Sequence, residues 1–301
     1  FKQKTAYEIM PSLVGSEMCI RDRNYLYIIQ PKRTQRGYQP VPLYSNNIWD
    51  TPAVNRLVAF GSSFWQMIES MRPYRLVNFS SQTLSFKTLV DIDFLDTKIV
   101  SEDSRHYYRG FFRYKGDYRC VPLFIPVYMD AVVGKNLWET IKNQYLQKRR
   151  WAWGIEHFPY VTKEVFKRKD IPWFSRFLIW QRLLLGHINW STASLLILMS
   201  GWWPYLLNPR FRTTVLAVNL PIIAQRLLTL TWIGVAVSTL ISLKLLPPKP
   251  KNYPKWKSWG MIFQWILVPV SAILFGSIPA LDAQTRLALG KYLGFWVTPK
   301  E

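Results

Sequence analysis

The chain has 301 residues, 49% of them apolar and 16% aromatic, with 39 lysines and arginines against 18 acids and a formal net charge of +21. That length allows one soluble domain plus a membrane part, and the charge surplus calls for either nucleic acid or an anionic membrane face as neighbour. Its distribution decides. Basic residues gather at 142–150, 163–169 and 244–257, just before or between long apolar runs, which is the positive-inside pattern of a membrane protein and excludes a nucleic-acid-binding groove.

In chain order, residues 1–23 are expected to be a non-native, adapter-derived segment. Lys2-Gln-Lys-Thr-Ala-Tyr-Glu-Ile9 resembles an in-frame translation of a flow-cell sequencing adapter, and Leu13-Val-Gly-Ser-Glu-Met-Cys-Ile-Arg-Asp22 the transposase adapter that sits beside it. The segment has no apolar core of a secretory signal. It holds four basic and three acidic residues, which leaves the remainder at about +20. The biological sequence is then expected to start near Asn24, with its true beginning missing. Cys19 belongs to the segment, so Cys120 stands alone and cannot form an internal disulfide, as suits a reducing, cytosolic domain. Three scattered histidines and one thiol offer no metal-site spacing.

Residues 24–160 read as mixed α/β. Thr51-Pro52 opens a helix, with a hydroxyl cap and proline at the first helical position, which runs past Trp65 to Met71 and stops before Pro73. Strand-type runs follow at 74–79, 97–100 and 118–128, separated by helical segments at 85–91 and 102–115. A further helix spans 135–153. These strands are too few for a complete doubly wound sheet.

From Ile171 the character changes. Trp173, Phe177, Trp180 and Leu184 fall on one helical face with Arg176 and Arg182 interspersed, as in a helix lying in a membrane interface; a soluble amphipathic helix has the same spacing. Leu183–Pro209 is 27 residues long and Trp259–Leu281 is 23, neither holding a Lys, Arg, Asp or Glu, and 213–243 is interrupted only by Arg226. A 23-residue helix is ~35 Å long, enough for a ~30 Å hydrocarbon layer. Pro221 suggests a break that places the middle span nearer 227–246, and Arg226 is costly in lipid unless it snorkels or faces protein. About three transmembrane helices are expected. The loop with Lys244, Lys249, Lys251, Lys255 and Lys257 outweighs the one with Arg210 and Arg212, so it and the catalytic domain belong on the cytoplasmic side of a multi-pass cell-membrane protein.

Two motifs carry chemistry. Gln147-Lys-Arg-Arg150-Trp151 puts an amide, a guanidinium and an indole at i, i+3 and i+4, on one helical face. Arginine pairs with pyrophosphate oxygens, and tryptophan stacks on the apolar face of a sugar while its N–H donates. A basic helix end docked on a membrane, with Trp151 and Trp153 as anchors, fits the same residues. Ser101-Glu102-Asp103 opens the helix at 102, where the dipole favours acids whatever the function. Paired with the distal Arg/Trp helix, a carboxylate able to deprotonate an acceptor hydroxyl is what inverting sugar transfer requires.

On these residues the chain resembles the family 2 glycosyltransferases with C-terminal membrane helices, the group of cellulose and hyaluronan synthases. The resemblance runs through Asn46-Asn-Ile-Trp49, Phe64-Trp-Gln66, Glu102-Asp103 and the Q-x-x-R-W helix. It continues over the interface helix and the apolar runs to Leu289-Gly-Lys-Tyr292, and Phe79-Ser80-Ser81 sits where the family has an acceptor-contacting loop. It implies α/β plus membrane α, with a partial GT-A-type domain over 24–160 and the interface helix and spans over 161–301. It also implies Asp103 as general base, and Glu102, Gln147, Arg150 and Trp151 as substrate-binding residues. The partners implied are a nucleotide-diphosphate sugar, a glycan or lipid-linked acceptor and membrane lipid, with no nucleic acid. The family's upstream half supplies a D-x-D motif for Mg²⁺ or Mn²⁺ that has no counterpart here. Asp91-Ile-Asp93 lies downstream of that place and reads as a helix-end turn. The chain as written is therefore expected to be inactive and its full-length parent active. The competing expectation is a non-enzymatic membrane anchor or transporter-associated protein with a basic cytoplasmic domain.

Overall fold

The computed structural model describes residues 24–199 and 203–294, so the adapter-like residues 1–23 lie outside them. The described chain is mostly helical with one small three-stranded sheet. Its contacts divide it into two compact units, each assembled from separated stretches. The first holds 24–43, 63–127 and 159–178; the second holds Tyr44–Ser62, Tyr128–Phe158 and the described residues from Ile179 onward.

In the first unit, strand β1 (Arg36–Tyr44) lies between β2 (Thr83–Leu84) and β3 (Arg119–Met129). β1 and β2 are antiparallel, with Gly37 opposite Leu84 and Tyr38 opposite Thr83. The run at 118–128 forms β3 as expected, whereas β1 carries no sequence signal because Pro40 and Pro42 interrupt it. Backbone N–H groups alternate sides along a strand, so two prolines at alternate positions remove donors from one edge only.

The expected strands at 74–79 and 97–100 are not strands. At the first, the Gln39 side chain replaces the ladder: its Oε1 accepts from the Phe79 N–H at 2.9 Å and its Nε2 donates to the Ser80 carbonyl at 3.0 Å. At the second, Asp96 forms a turn that takes the N–H groups of Lys98 (3.1 Å) and Ile99 (3.4 Å).

Helix α1 (Ala53–Ser70) begins after Pro52 rather than at it. The Thr51 hydroxyl donates to the Asn47 carbonyl at 2.8 Å, and the Pro52 carbonyl accepts the first helical N–H, from Arg56, at 2.9 Å. Helix α2 (Phe86–Asp91) is capped by Ser85, whose hydroxyl accepts from the Thr88 N–H at 3.0 Å. Helix α3 (Glu102–Arg113) buries Tyr107, Tyr108, Phe111 and Phe112. Gly110 lets it approach the Tyr118 ring: a Cβ there would lie 2.9 Å from that ring.

Helix α4 (Leu137–Ala152) starts at Asn136, whose side chain accepts from the Glu139 N–H at 2.9 Å, and it runs into a 3₁₀ turn, Trp153–Glu156. Helix α5 (His157–Lys167) and helix α6 (Trp173–Met199) follow. The expected interface helix and the start of the first apolar run are thus a single helix. Trp173 stacks on Phe177 at 6.0 Å with both exposed, while Arg176 is buried and donates to the Val165 carbonyl. The rest of that run holds a short helix α7 (Trp203–Leu207), and residues 200–202 lie outside the described ones.

Helix α8 (Val215–Lys244) continues through Pro221, so the expected break does not occur; a proline in the second turn removes only one backbone hydrogen bond. The last apolar stretch is α9 (Lys255–Phe263), a 3₁₀ turn, α10 (Val268–Ala272), a π turn (Ile273–Ser277) and α11 (Ile278–Ala288). The ladder changes register before Pro269 and again before Pro279, where the donor is missing. Two helical stretches among the described residues, Val215–Lys244 and Trp256–Ala288, are long and apolar enough to cross a membrane. Only 11% and 33% of their most apolar windows are buried, unlike the core helix of a soluble domain.

Adding one methyl at Gly110 is expected to destabilise the first unit by about 1–3 kcal/mol, since the Tyr118 ring cannot recede without repacking Tyr107 and Tyr114. In α1, Gly61 has open space around it, and alanine there should be neutral or stabilising by up to about 1 kcal/mol. Thermal unfolding of Gly110→Ala and Gly61→Ala in detergent reads both signs.

Candidate functional site

Glu102 and Asp103 form the first turn of α3, in the first unit, and both are half-buried. Asp103 Oδ1 accepts from the Ser104 N–H at 2.8 Å, and the Ser104 hydroxyl donates to the Ser101 carbonyl at 3.3 Å. The turn is held from behind. The Arg105 guanidinium lies 3.7 Å from the centroid of the Tyr160 ring, and Arg109 donates to the carbonyls of Phe94 (2.8 Å) and Asp93 (3.4 Å). Burial pushes His106 down to about 3, so the helix interior carries no charge there at neutral pH. The same unit brings Trp65 and Phe79 together at 6.1 Å, with Ser81 in a left-handed conformation just beyond.

The Q-x-x-R-W residues are on α4, in the second unit. Gln147 and Trp151 line one shallow, open cleft of about 10 Å³, room for about one water, together with Tyr44, Ser62, Asp130 and Gln144. Arg150 is half-buried one turn from Gln147 and is not among the lining residues. The Tyr44 and Trp151 rings are 6.0 Å apart and tilted by 42°. A relay of amides runs along the cleft wall: Asn55 Nδ2 donates to Gln144 Oε1 at 3.2 Å, and Gln144 Nε2 to Gln147 Oε1 at 3.1 Å. Asn46 holds Asp130 at 3.0 Å, and Asn47 exchanges two hydrogen bonds with the Ala131 backbone at 3.0 and 2.8 Å. The Asn46–Trp49 segment therefore builds the floor under Asp130. Aromatic faces beside amides, a carboxylate and a hydroxyl suit a polyol, whose ring face is apolar and whose rim is hydrogen-bonding.

Lys148, inside the motif, was not marked by its pattern. Its Nζ donates to Ser62 Oγ at 2.9 Å and sits 4.5 Å from the Trp151 ring centroid, so it fixes the indole that the cleft presents. Burial pushes this amine down to about 7. Trp153 does not anchor at an interface: it is fully buried, donates to Glu156 at 3.0 Å and meets the Tyr292 ring edge-on at 5.9 Å.

The opposite face of α4 is tied to α11. Asp282 Oδ2 accepts from Arg149 Nη1 and Tyr145 Oη, each at 2.9 Å, and Asp282 Oδ1 from Arg286 Nε at 2.6 Å. Gln144 and Gln147 could be picked from sequence as a helical stripe with Trp151. Tyr44, Ser62, Asp130 and Asp282 come from remote segments and leave no local signal.

The Asp91-Ile-Asp93 pair does not fit a diphosphate-bound Mg²⁺ or Mn²⁺. Asp91, in the one D-x-D of the sequence, already accepts from Tyr114 Oη at 2.7 Å and Lys87 Nζ at 3.0 Å, and these bonds hold its carboxyl below the usual range. Asp93 follows in a left-handed turn just past the end of α2.

Two outcomes follow. Lys148 has a folded pKa of about 7 and an unfolded one of ~10.4, so the unfolded chain binds the extra proton between those values. Stability should fall as pH drops from 10 to 7 and lose nothing more from this group below 7. Denaturant unfolding at pH 7 and 9.5 should show that component in the parent and not in Lys148→Met. A double-mutant cycle between Arg149→Met and Asp282→Asn should give a coupling of about 1–3 kcal/mol, because both side chains are mostly shielded, at 18% and 23% exposure.

No protein-family model, curated protein or solved structure matches the chain.

Proposed function

We propose that the chain belongs to a membrane-embedded inverting glycosyltransferase of the GT-A type. It would move a sugar from a nucleotide diphosphate to a growing glycan or lipid-linked acceptor at the cytoplasmic face. The observation that carries this reading is the cleft of α4, where Gln147 and Trp151 meet Tyr44, Ser62 and Asp130 beside a helix locked to an apolar stretch of membrane-spanning length.

In the proposed reaction the acceptor oxygen attacks the anomeric carbon as its proton passes to a carboxylate. The bond from that carbon to the diphosphate oxygen breaks, and the nucleoside diphosphate leaves with the electron pair. Asp103 is the proposed base. Within the second unit Trp151 stacks on a sugar ring, Gln147 hydrogen-bonds its hydroxyls and Arg150 pairs with phosphate oxygens; Glu102 is a proposed substrate-binding residue of the first unit. In the membrane part, α8 and the second half of α6 cross the bilayer with the lysine-rich loop on the cytoplasmic side, while the α9–α11 stretch is bonded to α1 at Gln264 and to α4 at Asp282.

The test is radiolabelled sugar transfer by membranes of cells expressing the protein from its genomic reading frame. Asp103→Asn should lower turnover by about 10²-fold or more and leave membrane insertion unchanged. Trp151→Ala should weaken binding of short oligosaccharides about tenfold or more. Unchanged transfer in Asp103→Asn would sink the assignment. No transfer by the parent would favour a non-enzymatic membrane anchor with a basic domain.

A further inference from the structure

Between Asp170 and Asp282 the chain holds no aspartate or glutamate, yet it holds ten lysines and arginines. Five of the ten crowd the loop between the two apolar stretches: Lys244, Lys249, Lys251, Lys255 and Lys257. Among the described residues no carboxylate pairs with Lys244, Lys249, Lys251 or Lys257.

The loop is built rather than loose. Four prolines, at 247, 248, 250 and 254, restrict its backbone. Tyr253 pins it to α1, meeting Trp49 edge-on at 4.8 Å and accepting from Arg56 Nη1 at 3.5 Å, while Arg56 Nε donates to Gln264 at 2.8 Å. Lys249 Nζ donates to Ser258 Oγ at 2.6 Å and lies 5.5 Å from the Tyr253 ring. Lys257 sits 6.0 Å from the Tyr253 ring and 5.7 Å from that of Trp256. The Lys249 and Lys257 ammonium groups are thus oriented by a hydroxyl and by aromatic faces, none of which is an anion. Beside them Trp256 and Trp259 are 72% and 64% exposed, and Trp259 stacks on exposed Phe263 at 6.5 Å.

We propose that the 244–257 loop, with Trp256 and Trp259, is a binding site for anionic phospholipid headgroups. The lysines pair with headgroup phosphates, and the indoles enter the boundary between headgroup and acyl chain. A soluble polyanion would satisfy the lysines but leave the two tryptophans and Phe263 in water; a bilayer satisfies both. The site rests on the membrane-embedded reading and is independent of sugar transfer.

The purified chain, reconstituted in phosphatidylcholine vesicles with about a quarter phosphatidylglycerol, tests this through spin-labelled lipids of either headgroup. The label on phosphatidylglycerol should be immobilised at least about threefold more than that on phosphatidylcholine. The preference should vanish in about 0.5 M salt and in K249Q/K251Q/K257Q. It should survive in K249R/K251R/K257R, which keeps the charge, and in R210Q/R212Q, which alters the opposite loop. Equal immobilisation of both lipids in an inserted parent overturns the site. So does a preference that the glutamine variant retains, or displacement of the lipid by heparin. Release of the chain from vesicles by alkaline carbonate would overturn the membrane reading along with it.

Discussion

The Asp282 carboxylate organises the second unit. Three donors converge on it, two from α4 and one from its own helix, and in the sequence 179–301 it is the sole acid apart from Glu301. Arg149 and Tyr145 are one turn apart on α4, so gripping both fixes the rotation of that helix about its axis as well as its place along α11. That rotation decides which residues face the cleft. With Arg149 and Tyr145 turned toward α11, Gln144, Gln147 and Trp151 are turned the other way.

The cleft is then completed by side chains that act on one another. Lys148 holds the Trp151 indole from behind and is anchored on Ser62, while the amide relay from Asn55 through Gln144 sets the direction of the Gln147 amide. A surface prepared in this way would lose little side-chain freedom on binding any ligand. The same economy appears in the lysine loop, where ring faces and hydroxyls orient cations without neutralising them.

The first unit solves a different problem. α3 must hold two acids at a half-exposed helix start while its other end is buried among aromatics. Stacking of Arg105 on Tyr160 and the Arg109 bonds to the preceding loop supply that support from outside the first turn.

Much of the helical plan was legible in sequence because its determinants are local. Ser85, the Glu102-Asp103 start and the Q-x-x-R-W spacing each specify a helix or its face within a few residues. The apolar runs around 215–244 and 259–281 needed only length and composition. Strand β1 was hidden by its prolines, and the runs at 74–79 and 97–100 had strand composition but lost their backbone donors to Gln39 and Asp96. A strand exists only where a partner ladder is offered, and that partner is remote in sequence. For the same reason the sequence by itself determined that α4 carries an amide, a guanidinium and an indole on one side. Only the tertiary structure decided that Tyr44, Ser62, Asp130 and Asp282 complete that helix's two faces, because side chains drawn from distant segments meet through packing and not through spacing.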